Sequence, residues 1–470
     1  MTASGGRQPP DALNRRWVAR SERRQERRAW PCTLATVSAD TLPVESYDSW
    51  AERSRRTKRG RLDNVHHAVN RACHTAGAGR ILSMGANLSH HFLPQFHLRL
   101  FSGHPRCIHV ASRTGDRIVL SASIRSQCAR HKFYGDSAYE SQLADAEGIV
   151  SASFRAAISA AWSGQELTGE TIALLRLGVL FQRFRTPRQV RSYNEMSQPT
   201  TLHLFLSHLQ TQPASAERDE AVDAITRGKA KLIDDDVETV RIALSFIAEA
   251  VELTDDLDFR VCRNHLPTPF ILADSPAAYS NPFFRQIHDQ AGLGLRCKGL
   301  IMVLPLNPRT CVLFFDRTVY TPMTLGPFFD LVQTSDVASL NALQLHSSET
   351  NVYFADESEK DWLLTFLRGH RALLQTEIGR FVVYRPGELL VDGKPSTREI
   401  VRWAEAKPPL DLNLSLLTMR AYQRGESHFR EASTSQLHKV RADRLDDEYR
   451  GLDIGAHFMN DIRQRIRFRG

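Results

Sequence analysis

The chain has 470 residues, enough for two or three ordinary domains with a sizeable core, and a formal charge of +8. Residues 1–83 hold 16 Lys+Arg against 8 Asp+Glu, so 61−16 = 45 basic and 53−8 = 45 acidic residues remain for 84–470. The body is therefore neutral, and an argument from charge for a nucleic-acid partner applies only to the leading segment.

That leader (1–83) carries arginine clusters at Arg15-Arg16, Arg23-Arg24, Arg27-Arg28 and Arg53 to Arg61, with few large apolar residues between them. Its composition predicts a disordered basic arm that touches nucleic-acid or membrane phosphates. A transit-like peptide is opposed by Glu22, Glu26, Asp40, Glu45 and Asp48. A third reading places the natural start at Met84, which would leave a compact, charge-balanced protein. No run of about 18 apolar residues predicts a membrane span. Seven scattered cysteines (Cys32, Cys73, Cys107, Cys128, Cys262, Cys297, Cys311) lack CxxC spacing, which argues against a zinc knuckle and against a disulfide framework. Reduced thiols in a cytoplasm are the simplest account.

The body opens with Ser89 to Phe101, an apolar stretch holding His90, His91, Gln95, His97 and Arg99. A polar group buried there without a partner costs about 1–3 kcal/mol, so these side chains are either hydrogen-bonded or used. Pro94 is placed to open a short helix through Phe101. Cys107 to Val110 and Arg117 to Leu120 then read as a hairpin about Thr114-Gly115-Asp116.

A mostly helical block is predicted over roughly 137–254. Its first helix carries Leu143, Val150, Phe154, Ile158 and Trp162 at helical spacing, and Glu140 and Glu147 fall on the same stripe. The next is capped by Thr168 and is apolar nearly all round through Phe181, as a central buried helix would be. Pro187 should stop or break it after Arg185, leaving that guanidinium able to turn inward. Asp235 and Glu238 resemble a capping box ahead of Val237, Val240, Leu244, Ile247 and Val251.

Beyond 257 the period becomes that of strands: 257–261, 269–273, 299–306 and 310–315, the last two joined antiparallel by Asn307-Pro308-Arg309. Helices near 336–346 and 358–372 and strands at 379–384 and 388–391 complete the body. Residues 405–470 read as a peripheral extension. The pattern predicts an α+β fold, a mostly helical middle block packed against a mainly antiparallel sheet over 84–404.

Glu140 and Glu147 lie about 10 Å apart along one helix face. A core-facing carboxylate needs a cation or several donors, and Arg185 is the obvious cation. Asp274 ends a strand in Phe270 to Pro276, where it either binds a cation or makes an Asx-turn. His91 is a neutral, hydrogen-bonded histidine on one reading and a metal ligand or general base on the other. No P-loop, nucleophile elbow, kinase signature or HEXXH spacing occurs.

Taken in order, these segments resemble the domain of unknown function 4238 family. The matching segments are His91-Phe92-Leu93-Pro94-Gln95-Phe96-His97-Leu98-Arg99, Phe133-Tyr134 with Glu140 and Glu147, Gln182 to Pro187, Phe270 to Pro276, Pro305 to Pro308 and Leu340-Asn341. The departure is His97, where an aromatic Tyr is common in the family. The resemblance implies an intracellular protein, supplies no reaction and supports Met84 as a start.

The residues predict a central polar cluster of His91, Gln95, Glu140, Glu147, Gln182, Arg185 and Asp274. As a catalytic set (His91, Glu140, Glu147, Arg185, Asp274) it points to metal-assisted hydrolysis of a phosphodiester. His91, Glu147 and Asp274 would hold Mg²⁺ or Mn²⁺, and Arg185 would neutralise developing charge. The alternative is a non-catalytic binding or regulatory protein in which the same residues organise the core.

Overall fold

The computed structural model describes residues 89–431, apart from 136, 233–234, 285–291, 375–377, 389, 392–393, 398, 406–409, 411 and 424–425, together with 466–468. The leader, Met84 and most of the chain after 431 lie outside the described residues.

The first elements are β1 (Ser89–His91), α1 (Gln95–Phe101), β2 (Cys107–Ser112), β3 (Ile118–Ser123) and β4 (Ala129–His131). Pro94 sits one position earlier than expected, as N-cap of α1 rather than inside it. β2 and β3 form the expected hairpin, with Gly115 at φ 72° in the turn.

Next come α2 (Ser137–Ser163), α3 (Gly169–Phe184), α4 (Pro187–Thr211), α5 (Ala216–Thr226), β5 (Ala230–Leu232), α6 (Asp236–Ser245) and α7 (Ile247–Leu253). Thr168 caps α3 by accepting from the Thr171 N–H at 3.1 Å. α3 is buried on nearly every side. It approaches α2 closely at Gly178, where a Cβ would stand 2.6 Å from Phe154 Cε1. The chain breaks after Phe184 as Pro187 requires. It restarts at once as α4, with Thr186 as N-cap and Pro187 in the first turn. The sequence reading does not single out α4, because its apolar positions are sparse and Pro199 interrupts it. Asp235 caps α6 through the Val237 and Glu238 N–H groups at 2.9 and 3.2 Å. The apolar face 237–251 is split between α6 and α7 at Phe246. Trp162, expected on the core stripe, lies in the last turn of α2 with 46% of its surface exposed.

The strand-rich half runs β6 (Asp258–Asn264), β7 (Leu272–Ala273), β8 (Ala278–Ser280), β9 (Ile301–Asn307), β10 (Thr310–Phe315), β11 (Tyr320–Pro322), β12 (Phe328–Leu331), α8 (Thr334–Ser347), β13 (Asn351–Phe354) and α9 (Lys360–Gly369). β14 (Gly379–Tyr384), β15 (Leu390–Val391), β16 (Lys394–Pro395), β17 (Ile400–Glu405) and β18 (Leu417–Met419) follow.

A five-stranded sheet has the order β12-β6-β10-β9-β8 and is antiparallel except for the β12–β6 pair. Its register sets Val312 opposite both Val261 and Leu304. β10 is buried along its whole length and β9 from Ile301 to Leu306, because both faces of these strands are covered. That is why they read as unbroken apolar runs. A second, antiparallel sheet has the order β3-β2-β13-β7. The fold is α+β, and one apolar core joins residues of α2, α3 and α7 to β6, β9 and β10. Leu412, Leu414, Leu416 and Arg430 are buried as well, so the described part of the stretch after 405 contributes to the core.

Candidate functional site

Arg185, at the elbow between α3 and α4, is fully buried. Its Nη2 donates to the His91 carbonyl at 2.6 Å and pairs with Glu147 Oε1 at 2.7 Å, while Nε donates to the Tyr134 hydroxyl at 2.9 Å. The guanidinium also lies over the rings of Phe181 (4.5 Å) and Tyr134 (5.5 Å). Burial opposes the charge, but Tyr134 and Glu147 outweigh it and hold Arg185 above its ordinary range. The expected Glu147–Arg185 pair is thus present, and it ties β1, α2 and α3 together.

The histidine segment meets this centre differently from the expectation. His91 contributes its backbone carbonyl, which also accepts from the Tyr134 hydroxyl at 3.2 Å. Its ring points elsewhere: Nε2 donates to the Arg125 carbonyl at 3.0 Å, and burial holds its pKa down. Gln95 lies 3.3 Å from the same nitrogen and accepts from Arg99 at 2.7 Å. The imidazole that faces an acid is that of His90. It is fully buried, stacks on Tyr134 and places Nδ1 3.7 Å from Glu140 Oε2. Nδ1 accepts from the Tyr134 N–H at 3.1 Å, so it is the unprotonated nitrogen. His90 and Tyr134 are the residues the sequence reading leaves out of the site. Both stand in segments it singles out, but nothing in the order His90-His91 says which ring turns inward.

Glu140 is the chemically poised group. Burial, against the opposing pull of Arg185 and with a further push from Glu147, raises its pKa to about 7. Its side chain keeps 31% of its surface in solvent, and that of Glu147 keeps 24%. Native Glu140 therefore holds its proton up to about pH 7, whereas in the unfolded chain it releases it near 4.5. Its favourable contribution is complete below pH 4.5 and is lost as pH rises through 7. Glu140→Gln should accordingly gain about 1–2 kcal/mol at pH 8, after allowance for solvent screening, and nothing at pH 4; urea unfolding at the two pH values checks this.

Asp274 stands apart. Its carboxylate accepts from three consecutive backbone N–H groups, Glu349 (2.7 Å), Thr350 (2.8 Å) and Asn351 (3.0 Å). Burial raises its pKa against the pull of those three donors, and the Glu349 charge pushes the same way as burial. A local Asx-turn is thereby replaced by a contact across about 75 positions. Its neighbour Ser275 reaches the elbow through a 3.1 Å contact with Thr186.

The Mg²⁺ or Mn²⁺ set of His91, Glu147 and Asp274 therefore does not assemble. His91 Nε2 is engaged by a carbonyl, Glu147 by Arg185 and Asp274 by three amides. Among the described residues no three His, Cys, Asp or Glu side chains converge as metal ligands. The centre instead holds polar atoms with no hydrogen-bond partner among the described residues: Arg185 Nη1, Glu140 Oε2 and both amide atoms of the fully buried Gln182.

A cleft of about 400 Å³ opens beside the elbow, lined by Arg130, Pro187, Arg191, Glu195, Asp236 and Glu349 among others. Arg130 is paired with His90 in the β1–β4 ladder, and its guanidinium lies over Phe92 and Phe133 at 5.9 and 5.8 Å.

An α+β protein with a buried arginine-centred polar cluster and a charged cleft beside its elbow is the class that fold and site define. A model of the family described as protein of unknown function (DUF4238) matches residues 89–358, and the chain belongs to that family. No curated protein and no solved structure matches it.

Proposed function

We propose that the cluster is an acid–base site and that Glu140 is its proton-transfer group, acting on a phosphodiester bound in the adjoining cleft. The observation that carries this reading is the placement of the part-buried Glu140 carboxyl, with Oε2 3.7 Å from His90 Nδ1 and without a hydrogen-bond partner among the described residues, where burial raises its pKa to about 7. Arg185, Glu147 and Tyr134 then act as the frame that fixes its environment. The cleft wall sets Arg130 and Arg191 beside Glu195, Asp236 and Glu349, and with Arg191 paired to Glu349 it is Arg130 that would meet an anionic substrate. Free thiols at Cys107, Cys128, Cys262, Cys297 and Cys311 support a reducing, cytoplasmic setting. Among the described residues no helix is long and apolar enough to cross a membrane.

A second reading has its own support. Arg185 makes three strong contacts and Asp274 accepts three amides, as residues that organise the core of a binding or regulatory protein would. Hydrolysis of bis(p-nitrophenyl) phosphate across pH 5–9 separates the two. The acid–base reading expects turnover with an inflection near pH 7, reduced at least ~100-fold in Glu140→Gln. Absence of turnover in the wild type, or equal rates in the variant, leaves the non-catalytic reading.

A further inference from the structure

Two arginines outside the cluster make no ion pair among the described residues: Glu349 and Asp274 act on Arg113, and Glu349 and Glu405 on Arg188, only from beyond contact distance. Arg188, in the first turn of α4, is 4% exposed and donates one long hydrogen bond, from Nη1 to the Ser348 carbonyl at 3.5 Å. Arg113, after β2, donates from Nη1 to the Glu349 carbonyl at 3.1 Å. Its Nε and Nη2 are buried without a hydrogen-bond partner. Two guanidiniums from segments 75 positions apart are thus anchored on consecutive carbonyls of one turn.

The acids around them already have partners. Glu405 is bound by Arg183, which contacts both of its oxygens. Glu349 pairs with Arg191 at 2.9 Å. Both Asp274 oxygens take backbone amides from 349–351. His346, 5% exposed, adds no negative charge; it directs Nδ1 to the Leu373 carbonyl at 3.2 Å. The positive field is visible in its effects. Burial with Arg188, Arg113 and Arg183 pushes the His346 imidazole down to about 3, and burial with Arg183 and Arg113 pushes Arg188 down to about 10 against the weaker pull of Glu349 and Glu405. A guanidinium does not shed its proton to escape such a site, and an uncompensated buried charge costs several kcal/mol. The compensation that fits two planar forks is an oxyanion accepting from both.

We propose that Arg113 and Arg188 form a binding site for a phosphate-type dianion at the 348–350 turn, either free phosphate or the phosphate of a monoester. The proposal is independent of Glu140 and of any hydrolysis, because neither arginine belongs to that cluster.

The test is thermal unfolding and calorimetric titration of the full chain with inorganic phosphate and, in parallel, glycerol phosphate, each against sodium chloride of equal ionic strength. Wild type should show a rise in Tm that grows with ~1–10 mM of at least one phosphate and not with chloride. Response to the monoester alone identifies a phosphomonoester site; response to inorganic phosphate identifies a site for the free ion. Arg188→Gln and Arg113→Gln should each bind at least ~10-fold more weakly, and Arg188→Gln should be the more thermostable protein without phosphate. Arg113→Gln, on a turn, keeps the test valid if the Arg188 variant fails to fold. A wild-type Tm that follows ionic strength only, or an undiminished response in Arg113→Gln, overturns the proposal.

Discussion

Glu147→Ala is expected to cost about 3–5 kcal/mol of stability, because it removes the carboxylate in contact with the charged and fully buried Arg185. The loss is larger than that of a surface ion pair, for which about 0–1 kcal/mol is usual. The reason is the elbow's geometry. Arg185 reaches β1 through the His91 carbonyl and reaches Tyr134 through its hydroxyl, so an uncompensated charge there loosens three segments together. Pairing the change with Arg185→Met should recover most of the loss, since a buried pair exchanged for apolar groups of similar volume is often neutral. Urea unfolding of the single and double variants measures both effects. A single-variant cost below about 1 kcal/mol would mean that Glu147 only decorates the site.

Asp274→Ala is the second large effect. Three consecutive amides, Glu349 to Asn351, lose their acceptor at once, and in this part-buried turn each costs toward the low end of about 1–3 kcal/mol, with incomplete additivity. We expect a net loss of about 3–4 kcal/mol, with Asp274→Asn intermediate because only one of its two terminal atoms accepts. Hydrogen exchange locates the effect: protection should fall first at the amides of 349–351. The same turn presents the Ser348 and Glu349 carbonyls to Arg188 and Arg113, so the phosphate response should weaken too. Uniform loss of protection across the molecule would contradict the local role.

The sequence carries part of this arrangement openly. Seven-residue spacing sets Glu140 and Glu147 on one face of α2, and Pro187 ends α3 where Arg185 can turn in; both signals are local, and both hold. β9 and β10 were legible because burial on both faces leaves no polar alternation to obscure them. What fails to show is tertiary. Asp274 satisfies amides about 75 positions away, so the strand-end pattern around it reads as a cation site or a local turn. Whether His90 or His91 turns its ring to the acids depends on how β1 pairs with β4, which neighbouring residues do not encode. Trp162 keeps helical spacing but falls in the last turn of α2, where it donates to Thr310 Oγ1 at 3.0 Å instead of packing inward. Arg113 and Arg188 give no signal at all, because each is an ordinary arginine until the fold commits the nearby acids to other partners.

The Glu140 carboxyl is the measurement on which the functional account turns. Carbon-detected NMR of the side-chain carboxyl, titrated from pH 3 to 9, should give a midpoint at about 7 in the wild type. The midpoint should move down in Glu147→Gln, where the neighbouring negative charge is gone and Arg185 is free to act on Glu140 alone. A wild-type midpoint near the ordinary 4.5 would show a solvated carboxylate with no poise for proton transfer, and the acid–base reading would fail.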